Sequence, residues 1–151
     1  MIRLKLFAVA LIWFFSGCFL FNKEFHLKME CAQPDSILVV VNHTFQVDFS
    51  YTTDSLKIDD KNVMAEFKNI FEQSERGIRN EKSKIAFVEI FIFCEDNTQC
   101  FIAYIGLSHY ARILQHTGCN KGAALGNYKS YEMGKYLLGL FEDNSIKIQM
   151  E

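Results

Sequence analysis

The stretch that decides the fold is IAFVEIFIFCEDNTQCFIAYI, residues 85–105. It contains two strongly apolar runs, 85–93 and 100–105, separated by the polar segment 95–99. Short apolar runs on either side of a turn signal predict two antiparallel strands joined as a hairpin. Because the first run is apolar at both parities except at Glu89, we expect a central strand that is covered on both faces.

Upstream of this hairpin, apolar and polar residues alternate with the period of a half-buried strand. One such stretch spans residues 25–31, a second spans 37–51, and a shorter one spans 56–58. In the second stretch, every odd position except His43 is apolar or aromatic. That stretch is therefore either one long bent strand or two strands that keep the same phase across a break at Asn42-His43.

Three further segments have the spacing of amphipathic helices. The first helix is placed within residues 59–76. It begins with two adjacent acids, Asp59 and Asp60, which would cap it. A short helix is predicted for residues 108–116, with a serine cap and a glycine just beyond its end. The last helix is predicted to end at Phe141 and to start at either Ala123 or Tyr128, and residues 146–150 alternate as a final strand.

This order of elements predicts the fold class. Strands that pair with sequence neighbours, interrupted by helices, indicate an α+β domain with a mostly antiparallel sheet of about five to six strands. We expect one central amphipathic helix and two C-terminal helices, with disulfides bracing the domain. No shift in composition marks an internal boundary, so residues 22–151 are interpreted as one domain and residues 1–21 as a leader.

The leader has the layout of a secretory signal. Arg3 and Lys5 precede sixteen uncharged and mostly apolar residues, Leu6–Phe21. The sequence thus predicts export, to the periplasm or outer envelope of a bacterium or as a secreted protein. An uncleaved signal anchor is an alternative, because 17 uncharged residues from Leu6 to Asn22 are at the lower limit for crossing a bilayer. A buried amino-terminal helix of a cytosolic domain is a second alternative.

The end of the leader carries a specific motif. Phe15-Ser16-Gly17-Cys18 resembles the bacterial lipoprotein box. This resemblance implies that Cys18 carries a lipid and becomes the first residue of the mature chain. Cleavage by an ordinary signal peptidase just after Cys18 is equally compatible with the small residues that precede it.

The chain has five cysteines, and Cys18 falls inside the leader, so the exported part retains Cys31, Cys94, Cys100 and Cys119. An even number of cysteines in an exported chain of this size predicts two disulfides. Three pairings are compatible with the sequence. Because Cys94 and Cys100 flank the hairpin turn, we expect a bond across it, which leaves Cys31 to pair with Cys119.

Two other chemistries are alternatives for these cysteines. A four-cysteine zinc site usually has paired ligands two to four residues apart, but five residues separate Cys94 from Cys100. We therefore predict no metal site. A nucleophilic pair of His116 and Cys119, three residues apart, is the other alternative, although Thr117-Gly118 between them is typical of a helix end.

Charge limits the classes of partner. The chain has 16 basic and 18 acidic residues, a formal net charge of −2, and removing Arg3 and Lys5 with the leader gives 14 minus 18, or −4. A mildly acidic domain is a poor candidate for binding nucleic acid through phosphate contacts. No phosphate-binding loop is found, and no cofactor is predicted. Membrane contact is expected only through a lipid or an uncleaved signal.

The candidate binding residues lie towards the carboxyl end. His109, Arg112 and His116 are spaced three and four residues apart, which places them on one face of the predicted 108–116 helix. Such a cluster could bind an anion, or it could be a solvated helix face. Tyr128 and Tyr131 provide aromatic area of the kind that protein interfaces favour.

These features predict a protein-binding function. The best interpretation is a small exported domain, such as an inhibitor or immunity protein, that acts on another exported protein. One alternative is an envelope lipoprotein with a structural or accessory role. A second is a small hydrolase with His109 or His116 as general base, although no catalytic motif is complete enough for a catalytic residue to be assigned.

Overall fold

The computed structural model describes residues 26–42, 53–77, 84–116, 119 and 124–148. Within these ranges the chain forms seven strands and two helices. In chain order they are β1 (Ser36–Asn42), β2 (Thr53–Ile58), α1 (Lys61–Glu72), β3 (Glu75–Arg76), β4 (Lys84–Cys94), β5 (Asn97–Gly106), β6 (Ala111–His116), β7 (Ala124–Ser130) and α2 (Tyr131–Asp143).

All seven strands belong to one sheet in the order β2-β1-β4-β5-β6-β7-β3. Every pairing between neighbouring strands is antiparallel. The predicted α+β class with a mostly antiparallel sheet is therefore confirmed, but the described residues contain seven strands instead of five to six and two helices instead of three. The expected centre of the sheet is also correct, because β4 and β5 pair from Cys94↔Asn97 to Lys84↔Gly106 around the two-residue turn Glu95-Asp96.

Both helices contribute to one hydrophobic core on the same side of the sheet, which we call the inner face. The core contains Phe67 and Phe71 of α1, Leu137 and Phe141 of α2, and alternate residues of β1, β4, β5 and β6. The ring of Phe71 meets Phe101 of β5 edge-on at a centroid distance of 4.8 Å. The described residues therefore form two layers, a sheet and a pair of helices.

Helix α1 begins where the sequence predicts. Asp60 is its N-cap, and the Asp60 carboxylate accepts hydrogen bonds from the backbone N–H groups of Asn62 and Val63 at 2.8 and 3.1 Å. The helix ends at Glu72, earlier than expected. Residues 75–76 instead form the short edge strand β3, which pairs with Tyr128 and Lys129 of β7.

The expectation that β4 is covered on both faces is wrong. Ala86, Val88, Ile90 and Ile92 are buried in the core, whereas the odd-numbered residues from Phe87 to Phe93 on the opposite face are only half-buried. Both described helices lie on the inner face, so within the described residues this opposite side, the outer face, carries no helix.

The predicted helix over residues 108–116 is wrong, and the C-terminal helix starts later than both of its predicted starting residues. Residues 111–116 form strand β6 between β5 and β7, where ladder pairing on both sides outweighs the helical spacing of the polar residues. Residues 124–130 form β7, and α2 starts only at Tyr131, after Ser130, whose hydroxyl accepts a bond from the backbone N–H of Met133. The glycine expected to end the first of these helices, Gly118, lies outside the described residues.

The first and last predicted strands also differ from expectation. Leu27 and Met29 are buried as the alternation predicts, but the segment makes only one bridge, His26↔Glu75. The backbone N–H of Met29 is satisfied by the Glu72 side chain instead of a strand. Residues 146–148 follow α2 without forming a strand. The predicted strand residues 25, 43–51 and 149–150 lie outside the described ranges.

The disulfides join different cysteines from those expected. Cys31 bonds to Cys94 and Cys100 bonds to Cys119, with Cα–Cα distances of 6.1 and 5.1 Å. The hairpin register explains why Cys94 does not bond to Cys100. Cys100 pairs with Phe91, an outer-face residue, whereas Cys94 has the parity of the inner face. The two side chains therefore point to opposite sides of the sheet.

The leader and the Cys18 lipidation site lie outside the described residues. None of the helices within the described ranges is long and apolar enough to cross a membrane.

Candidate binding surfaces

The hairpin that joins β5 to β6 ends in a turn, Gly106–Tyr110, which we call the Leu107 turn. Leu107 and Tyr131 are the large hydrophobic side chains that are exposed in the described residues, at 51% and 39%. Tyr131, the first residue of α2, contacts the ring of Tyr110 at a centroid distance of 5.3 Å. The exposed leucine and this tyrosine pair therefore lie at the same end of the sheet.

The Leu107 turn is held by its own backbone and by α2. The N–H of Gly106 donates to the carbonyl of Tyr110 at 3.1 Å, and the N–H of His109 donates to the carbonyl of Gly106 at 2.9 Å. Helix α2 packs so closely on the turn that a Cβ at Gly134 would overlap the carbonyl oxygen of His109. The conformation of the turn is thus set by the sheet and the helix together.

His109 has a left-handed backbone conformation, with φ of 63°. A residue other than glycine in this region is uncommon and stores strain that the surrounding structure must offset. Here the contact with Gly134 and the bond to Gly106 supply that support. Strained residues of this kind concentrate at ligand-binding segments.

The outer face of the sheet is a second candidate surface. Its half-buried apolar side chains come from β1, β4, β5 and β6 and include Leu38, Val40, Phe87, Phe91, Tyr104 and Leu114. Ile102 and Cys100 are buried on this face, yet they are not part of the core under the helices. Together these side chains give the sheet a second apolar surface, separate from the core under the helices.

Charged groups lie among these apolar side chains. Glu89 is flanked across the strands by Val40 and Ile102. Arg112 lies beside Tyr104 and opposite Lys129, and its guanidinium donates two hydrogen bonds to Asn127 at 3.0 and 3.1 Å. The outer face therefore carries an acid on β4 and basic groups on β6 and β7.

The structure brings together only some of the predicted binding residues. Arg112 and His116 are on the outer face of β6, with Leu114 between them, because alternate residues of a strand share a face. His109 is on the Leu107 turn, so the predicted cluster of three on one helix face is wrong. Tyr128 points to the inner face, where its ring lies over Gly126. Of the two predicted binding tyrosines, Tyr128 and Tyr131, only Tyr131 is exposed.

His116 and the second disulfide border a shallow depression on the outer face. Glu89, Ile102 and the cysteines of the Cys100–Cys119 bond also line it. Cys119 is exposed, whereas Cys100 is buried. Because Cys100 and Cys119 are bonded to each other, the structure does not support the alternative of a nucleophilic thiol beside His116.

A larger groove lies on the helix side, between α1 and the segment that follows Cys31. It has a volume of about 720 Å³ and is lined by polar and charged side chains together with Met64 and Pro34. The ammonium of Lys68 donates to the carbonyls of Cys31 and Ala32 at 3.2 and 2.7 Å, so it fastens the segment to the helix. Neither His109 nor His116 lines this groove.

Among the described residues, Tyr136 has a clearly displaced pKa. Burial between the helices, followed by the negative charge of Glu66, raises the pKa of Tyr136 to about 12. The ring of Tyr136 meets Phe67 edge-on, and its hydroxyl donates to the carbonyl of Val63 at 3.5 Å. This tyrosine is part of the packing between α1 and α2.

No group of three or more His, Cys, Asp or Glu side chains is arranged to hold a metal ion in the described part of the chain. Comparisons of the chain with protein-family models, curated proteins and solved structures gave no match.

Sequence reasoning missed Leu107 and most of the outer face. Leu107 does not belong to a periodic pattern of apolar residues, so the sequence does not distinguish it from a core residue. The signal for the outer face was present in β4, where apolar residues occupy both parities. The same pattern also predicts a strand that is buried on both sides.

Proposed function

We propose that residues 22–151 form an exported, disulfide-braced domain that binds another exported protein, as an inhibitor or immunity protein does. Two disulfides are compatible with an oxidising compartment, where such bonds persist. The observation that carries the proposal is the Leu107 turn.

The Leu107 turn has the properties of a binding anchor. The turn exposes Leu107, and the exposed Tyr131 of α2 lies against Tyr110 of the turn. A few residues, among which tyrosine is frequent, carry most of the binding energy of a protein interface. Its backbone is already ordered by α2 and by two internal hydrogen bonds, so little conformational entropy is lost on binding. In the proposed complex, Leu107 enters an apolar pocket on the partner, as interface anchors do.

The test is capture of the partner by matched variants. The full chain, expressed with its own leader and a carboxy-terminal tag, is mixed with envelope extract or culture fluid of the source cells. Leu107→Asp puts a charge on the turn, and Ser55→Asp puts the same charge on the distant, exposed strand β2.

We expect the unmodified chain and Ser55→Asp to retain one stoichiometric protein and Leu107→Asp to lose it. Circular dichroism should show that both variants are folded. Repeated failure of the unmodified chain to capture any protein would remove the proposed function. Equal capture by Leu107→Asp would show that binding does not use the turn.

A further inference from the structure

The outer face has the architecture of one half of a sheet-on-sheet sandwich. β1, β4 and β5 each contribute four outward side chains, β6 contributes three and β7 two. This set approaches the roughly 20 to 30 residues per side of a standard protein interface. Two sheets packed through such faces are about 10 Å apart, with their strands nearly aligned.

The register divides the outer face into two halves. Glu89 of β4 and Leu114 of β6 lie on either side of Ile102 of β5 in one row of paired residues. Along β6, Leu114 stands between Arg112 and His116. The half of the face on the β4 side of β5 therefore carries an acid. The half on the β6 side carries basic groups at the same level along the strands.

A two-fold axis running along β5 in the plane of the interface makes this arrangement self-complementary. The axis places β4 of one copy over β6 of the other without shifting either copy along the strands. Glu89 then faces Leu114 of the second copy, within reach of the Arg112 and His116 side chains that flank it. Symmetry repeats the contact on the other side of β5, as an isologous interface requires.

The neighbouring row adds a second type of contact. Phe87 and Arg112 lie on either side of Tyr104, and the rings of Phe87 and Tyr104 are 5.1 Å apart. The same axis brings Phe87 over Arg112 of the second copy, where a guanidinium can stack on an aromatic ring. The apolar residues supply the area that the interface buries, and the opposite charges set the register of one sheet on the other.

We propose that the outer face is the interface of a symmetric dimer, in which β4 of one copy packs across β6 of the other and Glu89 pairs with Arg112. The occupant of the face is thus a second copy of this chain. The inference goes beyond the proposed function, which uses the Leu107 turn.

Charge reversal tests the pairing. Glu89→Arg makes both groups of the contact positive, and Arg112→Glu makes both negative, so each variant should dimerise at least about tenfold more weakly than the unmodified chain. An equimolar mixture of the two variants restores opposite charges at both contacts. We therefore expect the mixture to form a heterodimer.

Sedimentation of the purified full chain measures all of these states. Glu132→Arg and Lys135→Glu, the same reversals on the exposed side of α2, serve as controls and should leave the dimer intact. A monomeric unmodified chain at its highest soluble concentration would overturn the proposal. Undiminished dimerisation of both reversal variants, or failure of their folded mixture to associate, would also overturn it.

A photo-crosslinking residue keeps the test decisive if a charge reversal prevents folding. Placed at Leu114, it should yield a covalent dimer on irradiation, whereas the same residue at the exposed Tyr131 should not. Crosslinking of Leu114 only to a different protein would show that the face serves another partner and would contradict the dimer. This outcome is independent of whether Leu107→Asp abolishes capture.

Discussion

Gly134 of α2 lies directly against the backbone carbonyl of His109, where no larger side chain fits. A Cβ at this position would also be 2.8 Å from the backbone nitrogen of Ala111. Both obstructing groups, the His109 carbonyl and the Ala111 nitrogen, are backbone atoms, so they cannot move aside as a flexible side chain would. This contact joins α2 to the Leu107 turn.

We predict that Gly134→Ala destabilises the domain by about 2 to 3 kcal/mol, as overpacking against a fixed neighbour does. Gly139 in the same helix is the matched control, because a Cβ there meets no atom within 4 Å. Gly139→Ala should stabilise by about 1 kcal/mol through helix propensity. Chemical denaturation of both variants measures the difference, and equal effects would contradict the packing described.

The fold near this contact shows what spacing can and cannot establish. A separation of four residues puts Arg112 and His116 on one side of a helix, but also on one side of a strand. The spacing therefore groups this pair correctly, although the segment is a strand and not a helix. His109, three residues before Arg112, shares a face with it only in a helix, so it was misplaced. Pairing of β6 with β5 and β7 is a long-range effect that local periodicity does not contain.

The disulfide pairing also depends on structure that spacing in the sequence does not contain. Proximity in sequence favoured a Cys94–Cys100 bond, but a two-residue turn pairs Cys94 with Asn97 and sends Cys100 to the other face. The length of the turn thus decides the parity of the cysteines. In contrast, α1 and the β4–β5 hairpin were predictable, because a capping aspartate and two apolar runs are local signals.

The cap of α1 provides a second stability prediction. Asp60→Ala removes the acceptor for two backbone N–H groups and should cost about 1 kcal/mol. Asp59, its neighbour, makes an exposed ion pair with Lys57 at 3.7 Å. Asp59→Ala should change the free energy of unfolding by less than about 0.5 kcal/mol. A larger loss from Asp59→Ala than from Asp60→Ala would show that the cap is misassigned.

The two disulfides should contribute unequally to stability. They close loops with sequence separations of 63 and 19 residues. On the chain-entropy model these bonds stabilise by about 4 and about 3 kcal/mol. Replacing Cys31 and Cys94 by serine should therefore lower the free energy of unfolding more than replacing Cys100 and Cys119. The reverse order in denaturant titrations would contradict this ranking.

Alkaline stability should depend on Tyr136. Its pKa rises from 10.0 to about 12 on folding, so the unfolded chain loses this proton first. The contribution is fully present below pH 10 and is lost as pH rises towards and through 12. Tyr136→Phe cannot ionise, so its stability should fall less steeply over this range. Parallel slopes for the two proteins in denaturation at increasing pH would contradict the assignment.

The most direct test of the account is a peptide map of the unreduced protein isolated from its natural compartment. An exported domain built on this sheet should yield two linked peptide pairs, one joining Cys31 to Cys94 and the other joining Cys100 to Cys119. Four free thiols would contradict export to an oxidising compartment, and a linkage between Cys94 and Cys100 would contradict the register of the central hairpin.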